Sequence, residues 1–258
     1  PEHCKDVWTN IFFVANYFGD HGPIRGAWSL STEEQFYIFI PTFILIMSTF
    51  FKIDSLKKFR YILLALFIVP VITRFITWES INGFSGYDIN NMMNYIYRPF
   101  HTHFDELIVG LMLSNMKADK TFVFPKILKM PRTLLIIISV IAIALRQTDK
   151  VLFTYSALGL FFGSFVYYII NTNDLFTKFL SNRVFYWSAR VSYGVYIIHH
   201  VIVWVLEDIG WFKQVLINNE VHLFATFILL FGISSLLSSV TYIVIEYPAL
   251  QWRAKILK

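Results

Sequence analysis

The chain has 258 residues, 56% of them hydrophobic and only 15% charged, with a mean hydropathy of +0.56 and a formal net charge of +5. Soluble domains carry about 25% charged residues, so this composition excludes an ordinary soluble globule and describes an all-α, polytopic membrane protein. A single cysteine, Cys4, excludes an internal disulfide and any cysteine-rich metal site.

Read in chain order, the first residue is Pro1, and no basic, apolar, small-residue leader precedes the first elements. The chain therefore reads as a piece of a longer protein. A helix needs roughly 20 apolar residues to cross the hydrocarbon core. Spans are predicted at 33–51, 59–78, 151–171, 191–209 and 222–245, with two shorter ones at 104–116 and 133–146. Proline, glycine and asparagine collect in the connections, as in "ESINGFSGYDINN". Without an internal repeat or low-complexity tract, residues 1–258 read as one membrane domain of about seven spans.

The positive charge tests that count. Loops 52–60, 117–132 and 172–190 and the tail 246–258 hold 15 of the 22 Lys and Arg residues, whereas segment 1–32 and loops 79–103, 147–150 and 210–221 hold five. Such alternation is what the positive-inside rule demands. It predicts a cytoplasmic C-terminus, with residues 1–32 outside. The basic charge is topological and calls for no nucleic acid.

"GAWSLSTEEQFYIFIP" (26–41) sets two adjacent acids, Glu33 and Glu34, at the threshold of the first span. Ser31 followed three residues later by Glu34 reads as a capping box, and acids suit the positive end of a helix. That accounts for Glu34 better than for Glu33. Glu33, Gln35 and Tyr37 are left to face a protein interior or a polar cleft, and ionisable groups within a membrane default to a functional reading.

"WSLSTEEQFYIFIP" is similar to the W-S-L-S-x-E-E-Q-F-Y signature of the acyltransferase 3 family, integral-membrane O-acyltransferases of bacteria. "IFFVANYF" (11–18) resembles that family's N-Y-F lead-in, and "THFDELIVG" (102–110) its R-x-D-x-L-x-x-G element. "RVSYGVYIIHH" (190–200) resembles the S-Y-x-x-Y-x-x-H helix, and "VIEYPALQW" (244–252) the closing E-x-P. The resemblance implies about ten spans in a full-length protein of the bacterial cytoplasmic membrane, so that roughly three precede Pro1. Those three are expected to carry a catalytic His and a cytoplasmic arginine pair that handles acyl-CoA.

The resemblance also implies site residues. Glu33, Glu34 and His199 are the candidate catalytic groups, the acids orienting or tuning the missing base. Trp28, Ser29, Ser31, Gln35, Tyr37, His103, Asp105, Ser192 and Tyr196 are candidates for substrate contact, and Arg74 joins them by its place inside a span toward the outer face, not by the resemblance. Ser192, Tyr196 and His199 share a helical stripe at i, i+4 and i+7, though a lone membrane histidine is more often a buried hydrogen-bonding residue. After His199 the family has Trp then Pro, where this chain has His200 and Val201. His103 stands where the family has Arg, a weaker anchor for anions. Arg74 either snorkels to the interface or pairs with Glu33, Glu34 or Asp105. Glu246 before Pro248 is expected to end the last helix at the cytoplasmic interface, with "QWRAKILK" as a headgroup anchor. His101, His103 and Asp105 invite a metal reading, but they sit in a segment that resembles a non-metal element, and no metal is expected.

Together these imply transfer of an acetyl or short acyl group from acyl-CoA, a co-substrate and not a bound cofactor, to a hydroxyl of a cell-envelope glycan or lipid-linked sugar. The alternatives are a transporter or flippase and a degenerate membrane scaffold.

Overall fold

The computed structural model describes residues 6–18, 26–85, 89–122, 131–148, 150–210 and 220–256, and helix is the only regular structure among them. Cys4, residues 123–130 of the basic loop 117–132 and most of the loop 210–221 lie outside the described residues. Two units divide the chain: Pro1–Gly22 with Ala27–Asn173, and Pro23–Gly26 with Asp174–Lys258.

The first unit opens with two short helices, α1 (Val7–Ile11) and α2 (Ala15–Phe18). The long helices α3 (Ala27–Thr49) and α4 (Leu56–Ser85) follow. A short α5 (Ile89–Met92) runs through a π-helical turn, Met93–Tyr97, and a 3-10 turn, Phe100–Thr102, into α6 (Asp105–Ala118). Helices α7 (Pro131–Thr148) and α8 (Lys150–Asn171) complete the unit. Phe36 and Ile40 of α3, Leu63 of α4, and Phe104, Ile108 and Met112 on and before α6 form its core.

Charge is placed in α4 as lipid requires. Arg74 has no exposed surface, while Ile68, Ile72, Phe75 and Ile76 are more than half exposed. In water that distribution is inverted; in a bilayer the apolar side chains face lipid and the ion faces protein.

Two arginines clamp α4 to α6. Near one end Arg60 reaches Asp119 at 2.7 Å and Asn115 at 3.0 Å. Asn115 donates in turn to the Leu56 carbonyl at 3.1 Å. Near the other, Arg74 meets Asp105 at 2.9 and 3.2 Å. The arginines are fourteen residues apart, and so are the two aspartates. That is about 21 Å at 1.5 Å per residue and close to four whole turns, so both clamps fall on one face and fix an antiparallel register. On its other side α6 meets α8 through two glycines one turn apart. A Cβ added to Gly159 falls 2.8 Å from Glu106 Cα, and one added to Gly163 collides with Val109. Small residues four apart let membrane helices approach to backbone distance.

The second unit consists of α9 (Leu175–Leu180), α10 (Arg183–Asp208) and α11 (Glu220–Thr241), with a π-helical turn, Tyr242–Glu246, leading into α12 (Tyr247–Ile256). A capping box starts α9: Thr177 N–H donates to Asp174 Oδ1, and Asp174 N–H donates to Thr177 Oγ1, both at 2.9 Å. Asn182 caps α10, accepting from Val184 and Phe185. Helices α10 and α11 run antiparallel, joined by Trp187 to Ser239 at 3.1 Å and Arg190 to the Tyr242 hydroxyl at 3.0 Å. Between α10 and α11, Gly194 lies directly against Ser238.

Each predicted span coincides with a helix, but only four helical stretches among the described residues are long and apolar enough to cross a membrane: Leu56–Ile81, Val151–Asn171, Arg183–Asp208 and Phe224–Ile256. Two local expectations are corrected. Glu246 does not end the last helix, because the π-helical turn carries the chain on to Ile256. The capping box at Ser31 and Glu34 does not exist either. Helix α3 starts four residues before Ser31, whose hydroxyl donates back to the Ala27 carbonyl at 2.9 Å. A serine inside the helix has no free amide to cap, so Glu34 loses the structural role that Ser31 would have given it.

Candidate active site

Helix α3 sorts the signature by face. Ala27, Ser31, Thr32, Phe36 and Ile40 are buried, and Gln35 sits beside them half-buried. Gln35 and Asn16 of α2 exchange two amide hydrogen bonds at 2.9 Å, and Gln35 also donates to the Phe13 carbonyl at 2.7 Å. The N-Y-F lead-in and the long signature are thereby held together by their own polar residues. Glu33 and Tyr37, one turn apart, lie on the exposed face, and Glu34 is half-buried. Among the described residues neither carboxylate forms an ion pair. Ser29 is partly buried.

Trp28 points the other way, into an aromatic cluster. Its ring lies 4.7 Å from Tyr97 and 6.1 Å from His103. Tyr155 of α8 packs 5.8 Å from His103 and 6.0 Å from Tyr97. Beneath them sits the Arg74–Asp105 pair, with the guanidinium 5.4 Å from the Tyr155 ring. Both members are wholly inaccessible.

Arg74 is saturated. Besides its two bonds to Asp105, it donates to the Leu152 carbonyl at 2.7 Å, to Ser156 Oγ at 2.8 Å and to the Thr102 carbonyl. A guanidinium has five N–H donors, and all five are spent. Asp105 also accepts from the Ser156 hydroxyl. The 3-10 turn is locked to the same cluster, since Thr102 Oγ1 donates to the Ile96 and Pro99 carbonyls at 2.7 Å. Arg74 and Asp105 therefore position the cluster and have nothing left to offer a substrate. His103 differs: its Nδ1 is buried with no hydrogen-bond partner among the described residues. In this cluster it is a buried group with capacity to spare.

The remaining candidates belong to the second unit. Ser192 Oγ donates to the Ala189 carbonyl at 2.9 Å. The Tyr196 hydroxyl donates to the Gly26 carbonyl at 2.8 Å. His199 Nδ1 lies 3.0 Å from the Val195 carbonyl, which can only accept, so Nδ1 carries a proton, and in the neutral imidazole Nε2 keeps the lone pair. Gly26 has φ +83°, and a Cβ there would collide with the His200 ring; only glycine fits that turn beside the histidine pair.

Sequence reading missed Tyr97, Tyr155 and Ser156, and it held Asn16 and Thr102 only within quoted motifs, without a role. Ser156 was the most findable, a polar residue in the apolar run "LFTYSALGLFFG", three residues before the first of the two packing glycines. Among the described residues no three His, Cys, Asp or Glu side chains converge on a metal position. His101 instead stacks on Tyr17, whose hydroxyl is 3.0 Å from its Nδ1.

A sealed ion pair thus lies under a tryptophan-containing cage, built from the long signature and the aspartate element of an apolar helical chain. Residues 2–243 match the acyltransferase domain of the acyltransferase 3 family, and the chain belongs to that family. Similar relatives come from Staphylococcus aureus. The O-acetyltransferase OatA of strain NCTC 8325 / PS 47 is 23% identical over 271 residues, covering 95% of this chain and 41% of the relative. A protein of strain MRSA252, provisionally named an O-acetyltransferase, is 22% identical over 284 residues, covering 96% and 43%. The chain thus spans less than half the length of these curated relatives. No solved structure matches it.

Proposed function

We propose that the chain forms membrane-embedded machinery of an O-acyltransferase that moves an acetyl or short acyl group from acyl-CoA to a hydroxyl of a cell-envelope glycan or lipid-linked sugar. The observation that carries this reading is the family match across residues 2–243; the names of the staphylococcal relatives point the same way. Transfer requires a base for the acceptor hydroxyl and donors for the developing oxyanion. Glu33 and Glu34 serve as orienting acids, on the pattern of the acid that holds an imidazole in one tautomer. His103 is the group of the aromatic cluster that meets substrate, and Tyr196 and His199 line the acceptor side. Seven spans with a cytoplasmic C-terminus accompany this reading.

The test is transfer of label from radiolabelled acetyl-CoA to envelope glycan in membranes bearing the full-length protein. Glu33→Gln and Glu34→Gln are compared separately. A fall of about 100-fold in at least one is expected for loss of acid–base assistance. Unchanged transfer in both removes the acids from the reaction. Substrate movement across the bilayer without consumption of acetyl-CoA would favour the transporter alternative.

A further inference from the structure

Helices α10 and α11 enclose a groove of about 390 Å³ whose polar lining is Ser192, Tyr196, His199 and Ser234. Its walls are mostly apolar, but two of its polar atoms are unusual. Ser234 is wholly buried, yet its hydroxyl has no hydrogen-bond partner among the described residues. A serine in a membrane helix ordinarily avoids this by donating to the carbonyl one turn back. Later in α11, Ser239 bonds the Ser235 carbonyl at 2.8 Å and Thr241 the Ser238 carbonyl at 3.0 Å. Ser234 could do the same and does not. The second atom is His199 Nε2, a lone pair in the neutral imidazole whose Nδ1 is committed to Val195.

Both residues line the same groove. Gly194 lies against Ser238 and Arg190 bonds Tyr242, so one turn further along α10 the chain comes level with Ser234. The groove therefore holds one unpartnered hydroxyl and one unpartnered acceptor, with Phe227, Leu230, Phe231 and Val203 extending from them as an apolar channel. In hydrocarbon no bulk water is at hand to satisfy such atoms. A hydroxyl meets both through a single oxygen, donating to Nε2 and accepting from the serine. A carboxylate or ester carbonyl can only accept, and an ammonium can only donate.

We infer that the α10–α11 groove is a binding site for a membrane-borne alcohol, an apolar chain whose terminal hydroxyl lies between His199 Nε2 and Ser234 Oγ. The inference rests on the groove alone and does not depend on the transfer reaction. Straight-chain and isoprenoid alcohols share the required chemistry.

The test is photocrosslinking of the protein in lipid nanodiscs with a diazirine-bearing hexadecanol, alongside its methyl ether and a diazirine-bearing isoprenoid alcohol. Labelled peptides from α10 and α11 are quantified by mass spectrometry. Labelling by an alcohol at least tenfold above the ether is expected, and whichever alcohol labels more strongly identifies the chain type. Ser234→Ala and His199→Phe are each expected to reduce alcohol labelling to the level of the ether. Ser238→Ala removes another buried, unpartnered hydroxyl that does not line the groove, so it is expected to leave labelling unchanged and controls for general loosening of α11. Equal labelling by alcohol and ether, or full labelling in Ser234→Ala with intact folding, overturns the assignment, since water or lipid tails then fill the groove.

Discussion

At the scale of single residues, Arg74 carries the sharpest consequence. Replacing one member of a buried ion pair leaves the other charged and unsolvated, which costs about 3–5 kcal/mol, whereas replacing both with apolar residues is often near neutral. Arg74→Leu is therefore expected to lower thermal stability in detergent severely, and Arg74→Leu with Asp105→Leu to recover most of it. If the double variant unfolds as readily as the single, desolvation is not what governs the cluster. Asp119 gives a pH dependence. The Thr121 hydroxyl, donating at 2.6 Å, and the Arg60 guanidinium hold its carboxyl below the ordinary carboxylate range. A depressed carboxylate contributes stability that is complete above its unfolded pKa, about 3.9, and is lost as pH falls through the lower folded value. Asp119→Asn is expected to destabilise at neutral pH, with the difference from the parent closing in strong acid. A gap that persists unchanged there assigns the effect to shape and not charge. Residue types were legible in the sequence, but partners were not. Arg74 had three possible carboxylates, and only the spacing across two helices singled out Asp105. Ser31 and Glu34 had the spacing of a cap, but the helix begins a turn earlier and turned that pattern into interior residues.

At the scale of elements, the approach of α6 to α8 depends on Gly159 and Gly163. Larger side chains there must push the helices apart, and overpacking of this kind typically costs about 1–3 kcal/mol. Gly163→Leu is expected to lower the unfolding midpoint more than Gly110→Leu, because a Cβ at Gly110 meets nothing within 4 Å. Equal effects at the two positions would show that the close contact is not limiting. Separation of α6 from α8 also withdraws Ser156 and Tyr155 from the ion pair, so transfer activity should fall with stability. The positions of these helices were readable from hydropathy, since lipid enforces long apolar runs. Their ends were not. Helix α3 extends six residues upstream of its predicted start, because Trp28, Ser29 and Ser31 break the apolar pattern without breaking the helix.

At the scale of the whole molecule, the charge asymmetry makes a prediction that needs no activity. With one cysteine in the chain, a membrane-impermeant maleimide reports the side on which Cys4 lies. Labelling in intact spheroplasts is expected; labelling only after permeabilisation reverses the orientation. Hydropathy made the all-helical, membrane-spanning character legible, while the pairing of motif with motif, Asn16 with Gln35 and Trp28 with His103, emerged only from the fold. The paired arginine clamps have a further consequence, because they act as a reading frame for α4. Inserting one residue between Arg60 and Arg74 rotates one arginine by about 100° relative to the other, so the two cannot engage α6 together. The same insertion between α4 and α5, ahead of the turns locked to the ion pair, leaves the spacing on both helices intact. Length changes are therefore expected to be tolerated in that connection and rejected within the fourteen-residue interval, a distinction that a library of single-residue insertions scored for folded protein would reveal directly.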